Sequence, residues 1–167
     1  MTQIPEVAYT HAGKFHADDV FSAALLRILR PDIRFVRAMG LPEGFEGFAF
    51  DIGWGRFDHH QKDAPVRENG VPYAAFGLLW REFGQTLLGE EADNFDEHFI
   101  QPLDLEDNTG CGHPLAAAIV AGAQKRGIPI GEVTAFHAIA GQGVTADITV
   151  SSRWLAASAK RDDSVVL

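Results

Sequence analysis

Cysteine is almost absent: Cys111 stands alone among 167 residues, which excludes an internal disulfide and fits a reducing compartment. Positive charge is scarce, with 14 Lys and Arg against 23 Asp and Glu for a net charge of −9. That balance counts against a protein that coats nucleic acid through a broad basic face. It leaves room for an enzyme whose bound cations supply positive charge locally. No apolar run is long enough to span a bilayer, and the Met-Thr-Gln-Ile-Pro-Glu start has no basic region followed by an apolar core. The expectation is therefore no signal peptide, no membrane partner and a soluble cytoplasmic protein. No internal repeat or low-complexity linker marks a domain boundary. What remains is 46% hydrophobic, the composition of a folded chain with a real core.

The periodicities alternate between strand and helix. Val7 to Thr10 reads as a first, central strand. From Ala17 to Arg30, Val20, Phe21, Ala24, Leu25, Ile28 and Leu29 recur at three- and four-residue steps, a helix with one buried stripe, stopped by Pro31. Ile33 to Ala38 reads as a second strand, and a β-α-β unit of this length implies parallel pairing with a right-handed crossover. Gly40 to Gly47 is loop, and Phe48 to Ile52 a continuous apolar strand. Lys62 to Pro72 reads as a mobile polar loop. Tyr73 to Leu88 forms a mostly apolar helix in which Trp80 and Phe83 read as core. Asp93 to Leu105 reads as a helix that Pro102 bends or shortens, followed by an acidic turn from Asp104 to Asn108. Pro114 to Gln124 is a helix with Pro in its first turn and Gly127 past its end. Glu132 to Ala140 reads as a further helix, Ala146 to Ser152 as a strand, and the polar tail from Lys160 as frayed.

The chemistry concentrates in His11-Ala-Gly-Lys-Phe-His16-Ala-Asp18-Asp19. A strand running into a turn and a helix N-terminus places these groups at the edge where α/β sheets bind ligands. Imidazole and carboxylate together suit manganese, iron and zinc. Asp18 and Asp19 have a second reading, as electrostatic support for the helix N-terminus. Asp51 ends a strand at the same edge and reads equally as a turn former before Gly53. In Asp58-His59-His60, adjacent histidines on extended backbone face opposite ways, so at most one joins a metal shell and the other is left for substrate or for supporting a metal ligand. The acidic turn at Asp104 and Asp107 is better explained by a nearby cation than by helix stability.

Asp58-His59-His60 is the namesake motif of the DHH phosphoesterases. With it stand Thr10-His11-x-Gly13-x-Phe15-His16-x-Asp18, Asp51-Ile-Gly53, Gln61 directly after the tripeptide, Ala75-x-Gly77-Leu78-Leu79-Trp80-x-x-Phe83-Gly84 and Asp104-x-x-Asp107-Asn108. This ordered set resembles the MYG (melanocyte-proliferating gene product) family, a DHH branch associated with metal-dependent 3′–5′ exonuclease activity. The resemblance implies a DHH-like phosphoesterase core over residues 1–110, with 111–167 as a C-terminal extension of the same compact domain. It implies an α/β fold, a mainly parallel sheet with helices on both faces. It implies two divalent ions, one held by His11, His16 and Asp51 and the other by Asp18, Asp51, His59 and Asp107. Asp107 is preferred to Asp104 because Asp-Asn is the matching dipeptide. His60 faces the scissile phosphate and Asp58 orients a histidine. His16 stands where the wider superfamily often has aspartate, which favours Mn2+, then Fe2+ or Zn2+, over Mg2+.

Lys14 and Lys62 are candidates for steering phosphate. Gly110-Cys-Gly-His113 resembles the glycine-rich histidine motif of the second domains that close over such sites, making His113 a substrate-site candidate. The expected function is hydrolysis of a phosphoester, RNA or a short oligonucleotide, with a homo-oligomer compatible with it. Two alternatives stand beside it: a small-molecule phosphatase or pyrophosphatase, and a non-catalytic module that kept its metals for stability.

Overall fold

The computed structural model describes residues 2–126; the expected elements at 132–140 and 146–152 and the tail from Lys160 lie outside them. Strand β1 (Val7–His11) leads through the histidine turn into helix α1 (Ala17–Leu29), which returns to β2 (Arg34–Ala38). A short β3 (Phe48–Ala49) follows. Among the described residues the strands make a three-stranded sheet in the order β2-β1-β3. Both pairings are parallel, with His11 opposite Ala38 and Tyr9 opposite Ala49. The fold is therefore α/β with a parallel sheet, and the central strand delivers the histidine turn.

Burial alternates along the strands as the pleat requires: Ala8, Thr10, Phe35 and Arg37 are buried, while Arg34 and Val36 are exposed. The remaining α-helices among the described residues are α2 (Ala75–Leu88), α3 (Ala92–Phe95), α4 (Gln101–Thr109) and α5 (Pro114–Arg126), with a 3-10 turn at Gly89–Glu91 between α2 and α3. Helix α1 packs against α2, α4 and α5. Between them lie the fully buried Leu25, Leu26, Phe76, Leu78, Leu79, Ile100 and Ile119; each such side chain contributes about 1.5–3 kcal/mol relative to exposure. Ala116 and Ile119 of α5 belong to this core.

Three departures from the expected elements shape the site. The strand expected to reach Ile52 stops at Ala49, because Asp51 turns into the left-handed region at φ 55°. The helix expected from Asp93 is broken by a π-helical segment, Asp96–Ile100, directly before Gln101 and Pro102. The wider turn accommodates the missing N–H and the ring of the proline. The acidic stretch expected as a turn is helical, part of α4, so Asp104, Asp107 and Asn108 share one helix face at spacings of three and four.

The polar loop before α2 is also less free than expected. Arg67 is buried within it, donating from Nε and Nη2 to Asp96 at 2.9 and 2.6 Å and from Nη1 to the Pro72 carbonyl at 3.2 Å. Its Nη2 also lies 2.8 Å from Asp104, and its guanidinium sits 3.9 Å from the centre of the Tyr73 ring.

Candidate metal centre

His11 ends the central strand, where Ala12 N–H bonds the Ala38 carbonyl at 2.7 Å and fixes the start of the turn. Its Nδ1 donates to the Ala12 carbonyl at 2.9 Å, which leaves Nε2 facing Asp51 Oδ2 at 3.0 Å and Asp19 Oδ2 at 3.1 Å. Asp51 arrives from the neighbouring strand through its left-handed kink. A non-glycine residue held there costs about 1–3 kcal/mol and persists where the surroundings impose it. Here its N–H is bonded to the Phe57 carbonyl at 2.9 Å and its carboxylate is buried.

His59 approaches from the opposite side. Asn108 orients it: the amide nitrogen donates to the carbonyls of Tyr73 at 3.1 Å and Asp104 at 2.8 Å, so the amide oxygen lies 3.2 Å from His59 Nδ1. The other nitrogen, Nε2, is 3.3 Å from Asp51 Oδ1, 3.2 Å from Asp107 Oδ2 and 3.9 Å from Asp18 Oδ2. His16 Nδ1 is 3.7 Å from Asp107 Oδ1. Three groups of potential ligands result, each with donor atoms within 4.8 Å of one another: His11, His16 and Asp51; Asp51, His59 and His60; and Asp18, His59 and Asp107. Asp51 joins the first two, and His59 the last two.

A sequence model of the MYG1 exonuclease family, described as an uncharacterised protein family (UPF0160), matches residues 7–113. The chain belongs to that family. The span holds every residue of the cluster. The human MYG1 exonuclease is 28% identical over 130 residues, covering 59% of this chain and 34% of the relative. The bovine MYG1 exonuclease is 29% identical over 131 residues, with the same shares of 59% and 34%. The chain thus spans about a third of the length of these curated relatives. A copper-transporting P-type ATPase of Rhizobium leguminosarum bv. viciae is 60% identical over 35 residues, which is 4% of that protein, and so short a stretch bears on neither fold nor function. No solved structure matches the chain.

The donor set of this MYG1-family chain fits divalent cations. His11 Nε2, His59 Nε2 and both Asp51 oxygens are buried and none has a partner in hydrogen-bond geometry, although they lie 3.0–3.3 Å apart. Buried polar atoms left this way are costly unless something else satisfies them. Both imidazoles have Nδ1 against an oxygen, which turns the Nε2 lone pair toward the cluster, as metal-bound histidines do.

Without cations, protons do the neutralising. Burial pulls His11 down, but Asp19 and Asp51 overcome it and raise its pKa to about 10. For His59, burial again opposes, and Asp107 and Asp51 raise it to about 11. Burial pushes Asp51 up, and the two histidines more than reverse this, holding it at about 2. Asp18 is raised well above the usual carboxylate range, by burial first and then by Asp51, Asp107 and Asp104. Its oxygens accept from Ala75 N–H at 3.1 Å and Phe76 N–H at 2.6 Å, so this residue also caps the start of α2, whose own N-cap residue, Ala74, has no capping side chain.

The expectation that His59 and His60 diverge does not hold. Their ring centroids are 4.3 Å apart, because residues 58–60 are not in regular extended pairing. His60 Nδ1 lies 3.7 Å from Asp51 Oδ1, and it bonds Asp58 Oδ1 at 2.6 Å. Asp58 in turn accepts Trp54 N–H at 2.6 Å through its other oxygen. The His60 side chain is 55% exposed while Asp58 is buried.

Among the remaining candidates, Asp104 is set apart from the cluster: it accepts Gly77 N–H at 3.1 Å and pairs with Arg67. Burial raises its pKa to about 7 against the pull of Arg67. Lys14 and Lys62 are exposed, and the Lys14 carbonyl accepts from Arg37 Nη2 at 3.2 Å. His113 N–H bonds Glu106 at 3.0 Å, and its Nδ1 is buried without a partner.

Sequence reasoning missed Arg37, which donates to Asp19 Oδ2 at 2.8 Å and lies 3.9 Å from the centre of the Phe15 ring. The signal was there: Arg37 shares a strand face with Phe35, so an inward-facing guanidinium needed a buried acid.

Proposed function

We propose that this chain is a metal-dependent phosphoester hydrolase of the DHH type, acting as a 3′–5′ exonuclease on RNA or short oligonucleotides. One observation carries the reading: ligand groups meet at Asp51, with Nε2 of His11 and of His59 buried there and without a hydrogen-bond partner. His11, His16 and Asp51 would hold one divalent ion, manganese by preference, and Asp18, Asp51, His59 and Asp107 a second. Such a pair supplies a water of lowered pKa and stabilises the attacking and leaving oxygens of a phosphate.

The protein's own residues do the rest. Asp58 clamps His60 through Nδ1, so Nε2 of this half-exposed ring is left to meet a phosphate oxygen at the mouth of the site. Asn108 and the Ala12 carbonyl fix the tautomers of His59 and His11. Arg37 neutralises Asp19 behind His11, which keeps the carboxylate excess on the side where cations bind.

The test is metal-supplemented hydrolysis of end-labelled RNA, bis-(p-nitrophenyl) phosphate and pyrophosphate. The reading expects mononucleotides released from the 3′ end, with activity lost in chelator and restored by Mn2+. The net charge of −9 favours a second reading, a small phosphate compound as substrate, which would show as turnover of pyrophosphate or a nucleotide and none of RNA. No metal-dependent turnover on any of the three would sink both.

A further inference from the structure

Trp54 is 78% exposed, an unusual setting for the largest apolar side chain. It is also one of two non-glycine residues among those described with a left-handed backbone, at φ 56°; the other is Asp51 at 55°. Trp80 shows the ordinary case, buried with its indole N–H bonded to the Ala92 carbonyl at 3.0 Å. Trp54 projects from a pinned backbone instead. Its N–H bonds Asp58 Oδ2 at 2.6 Å, and Asp58 Oδ1 receives His60 Nδ1 at 2.6 Å, so a single carboxylate fixes both the tryptophan backbone and the histidine ring.

The loop around it is closed at two further points, Asp51 N–H to the Phe57 carbonyl at 2.9 Å and Asp58 N–H to the Gly55 carbonyl at 3.2 Å. Arg56 ties it to the body of the fold through Glu82 and through Thr2 at 2.8 Å. The loop leaves the same sheet edge as His11. Met39, 91% exposed, follows β2 at that edge on the other side of β1.

We infer that Trp54 is a stacking platform for an unpaired nucleobase of the substrate strand, next to the phosphate that His60 meets. The inference rests on the proposed phosphoester hydrolysis and narrows its substrate to one that carries bases. Every base offers a π-face to an indole, so the contact is tolerant of sequence and needs no basic surface. That suits an acidic protein, in which affinity for a polyanion has to come from cations at the site and from apolar stacking. A pinned backbone leaves only the two side-chain torsions of the indole to be ordered when a base lands on it.

The experiment compares binding of a phosphorothioate-linked oligouridylate with that of an abasic strand of equal length, in Mn2+, to the full chain. Trp54→Gly removes the ring and also relaxes the positive φ, so its fold is not at risk from strain; Trp54→Phe keeps an aromatic face. The expected result is a Kd about tenfold weaker for oligouridylate in Trp54→Gly, largely recovered in Trp54→Phe, with the abasic strand held equally by all three proteins. Wild-type indole fluorescence should fall on adding oligouridylate and stay unchanged on adding the abasic strand. An unchanged Kd in Trp54→Gly, or equal losses on both strands, overturns the inference. So does a wild type that holds the abasic strand as tightly as oligouridylate. Cleavage of RNA is scored separately: a wild type that stacks bases but cleaves nothing refutes the hydrolase reading alone, and one that cleaves RNA with no loss of oligouridylate binding in Trp54→Gly refutes the stacking alone.

Discussion

A Cβ placed on Gly77 would stand 1.9 Å from Asp104 Oδ2 and 2.6 Å from Arg67 Nη2. The backbone of α2 approaches a buried ion pair so closely that no side chain fits between them. Gly77→Ala gains up to about 1 kcal/mol of helix propensity, but it must push apart a pair whose Asp104 also accepts the Gly77 N–H. Overpacking of this kind costs about 1–3 kcal/mol, and displacing the buried charges adds to it. Urea unfolding should show a net loss, and Asp104→Ala combined with Gly77→Ala should be less damaging than the sum of the two singles. A Gly77→Ala protein as stable as wild type would mean that the pair moves freely.

Asp51 and His60 should separate metal binding from turnover. Asp51→Asn removes the charge shared between ligand groups and should lower bound metal, by elemental analysis, along with hydrolysis. His60→Ala should keep its metal and lose turnover by on the order of a hundredfold. Metal released by His60→Ala and retained by Asp51→Asn would invert the two roles.

The metal-free protein should weaken toward alkaline pH. His11 and His59 have folded pKa values of about 10 and about 11, above the ordinary 6.5. Their contribution is complete below about pH 6.5 and is lost as pH rises through the folded values. Asp104, raised to about 7 from 3.8, acts in the same sense at lower pH. Asp51, held at about 2, has the opposite sign: its contribution is lost only as pH falls from 3.8 through 2. A bound divalent ion displaces the imidazole protons. Urea midpoints at pH 9 should therefore drop in EDTA relative to pH 6.5, and recover in Mn2+. Parallel curves with and without metal would count against a preformed site.

Arg37 should matter more than its distance from the cluster suggests. Arg37→Met leaves Asp19 buried without its strongest partner, a change that costs about 3–5 kcal/mol. Because Asp19 also faces His11 Nε2, Mn2+ affinity should change by about ten- to a hundredfold. Isothermal titration on Arg37→Met, and on Arg37→Met with Asp19→Asn, would separate the effects; unchanged affinity in both would confine Arg37 to a structural part.

The sequence revealed the elements whose periodicity is strong. The helix α1 and the strand β2 are legible from residue type and spacing, although all of Ala17 to Leu26 is buried where one stripe is expected. Parallel pairing follows from the helix between the two strands. Less visible was anything imposed by tertiary contact. Asp51 before Gly53 reads as a strand end or as a turn former, and only the fold, with its N–H on the Phe57 carbonyl, decides for the left-handed turn. Asp104 and Asp107 were hard to tell apart while they were read as a turn. On a helix the two share a face but sit nearly one turn apart along its axis, and one reaches His59 while the other reaches Gly77 and Arg67. The convergence of His59 and His60 is not legible locally, because a period-two rule applies to paired strands and residues 58–60 belong to none.

The capping of α2 has a consequence for how the chain acquires its shape. Its first three N–H groups are received by Asp18, 57 and 58 residues earlier, and by Asp104, 27 residues later. A helix with no start signal of its own cannot nucleate early. It has to wait until α1 and α4 have docked, so its formation reports long-range assembly, not local propensity. The amides at the head of α2 should then exchange with solvent only when the whole unit opens, joining residues far apart in sequence into one cooperative block.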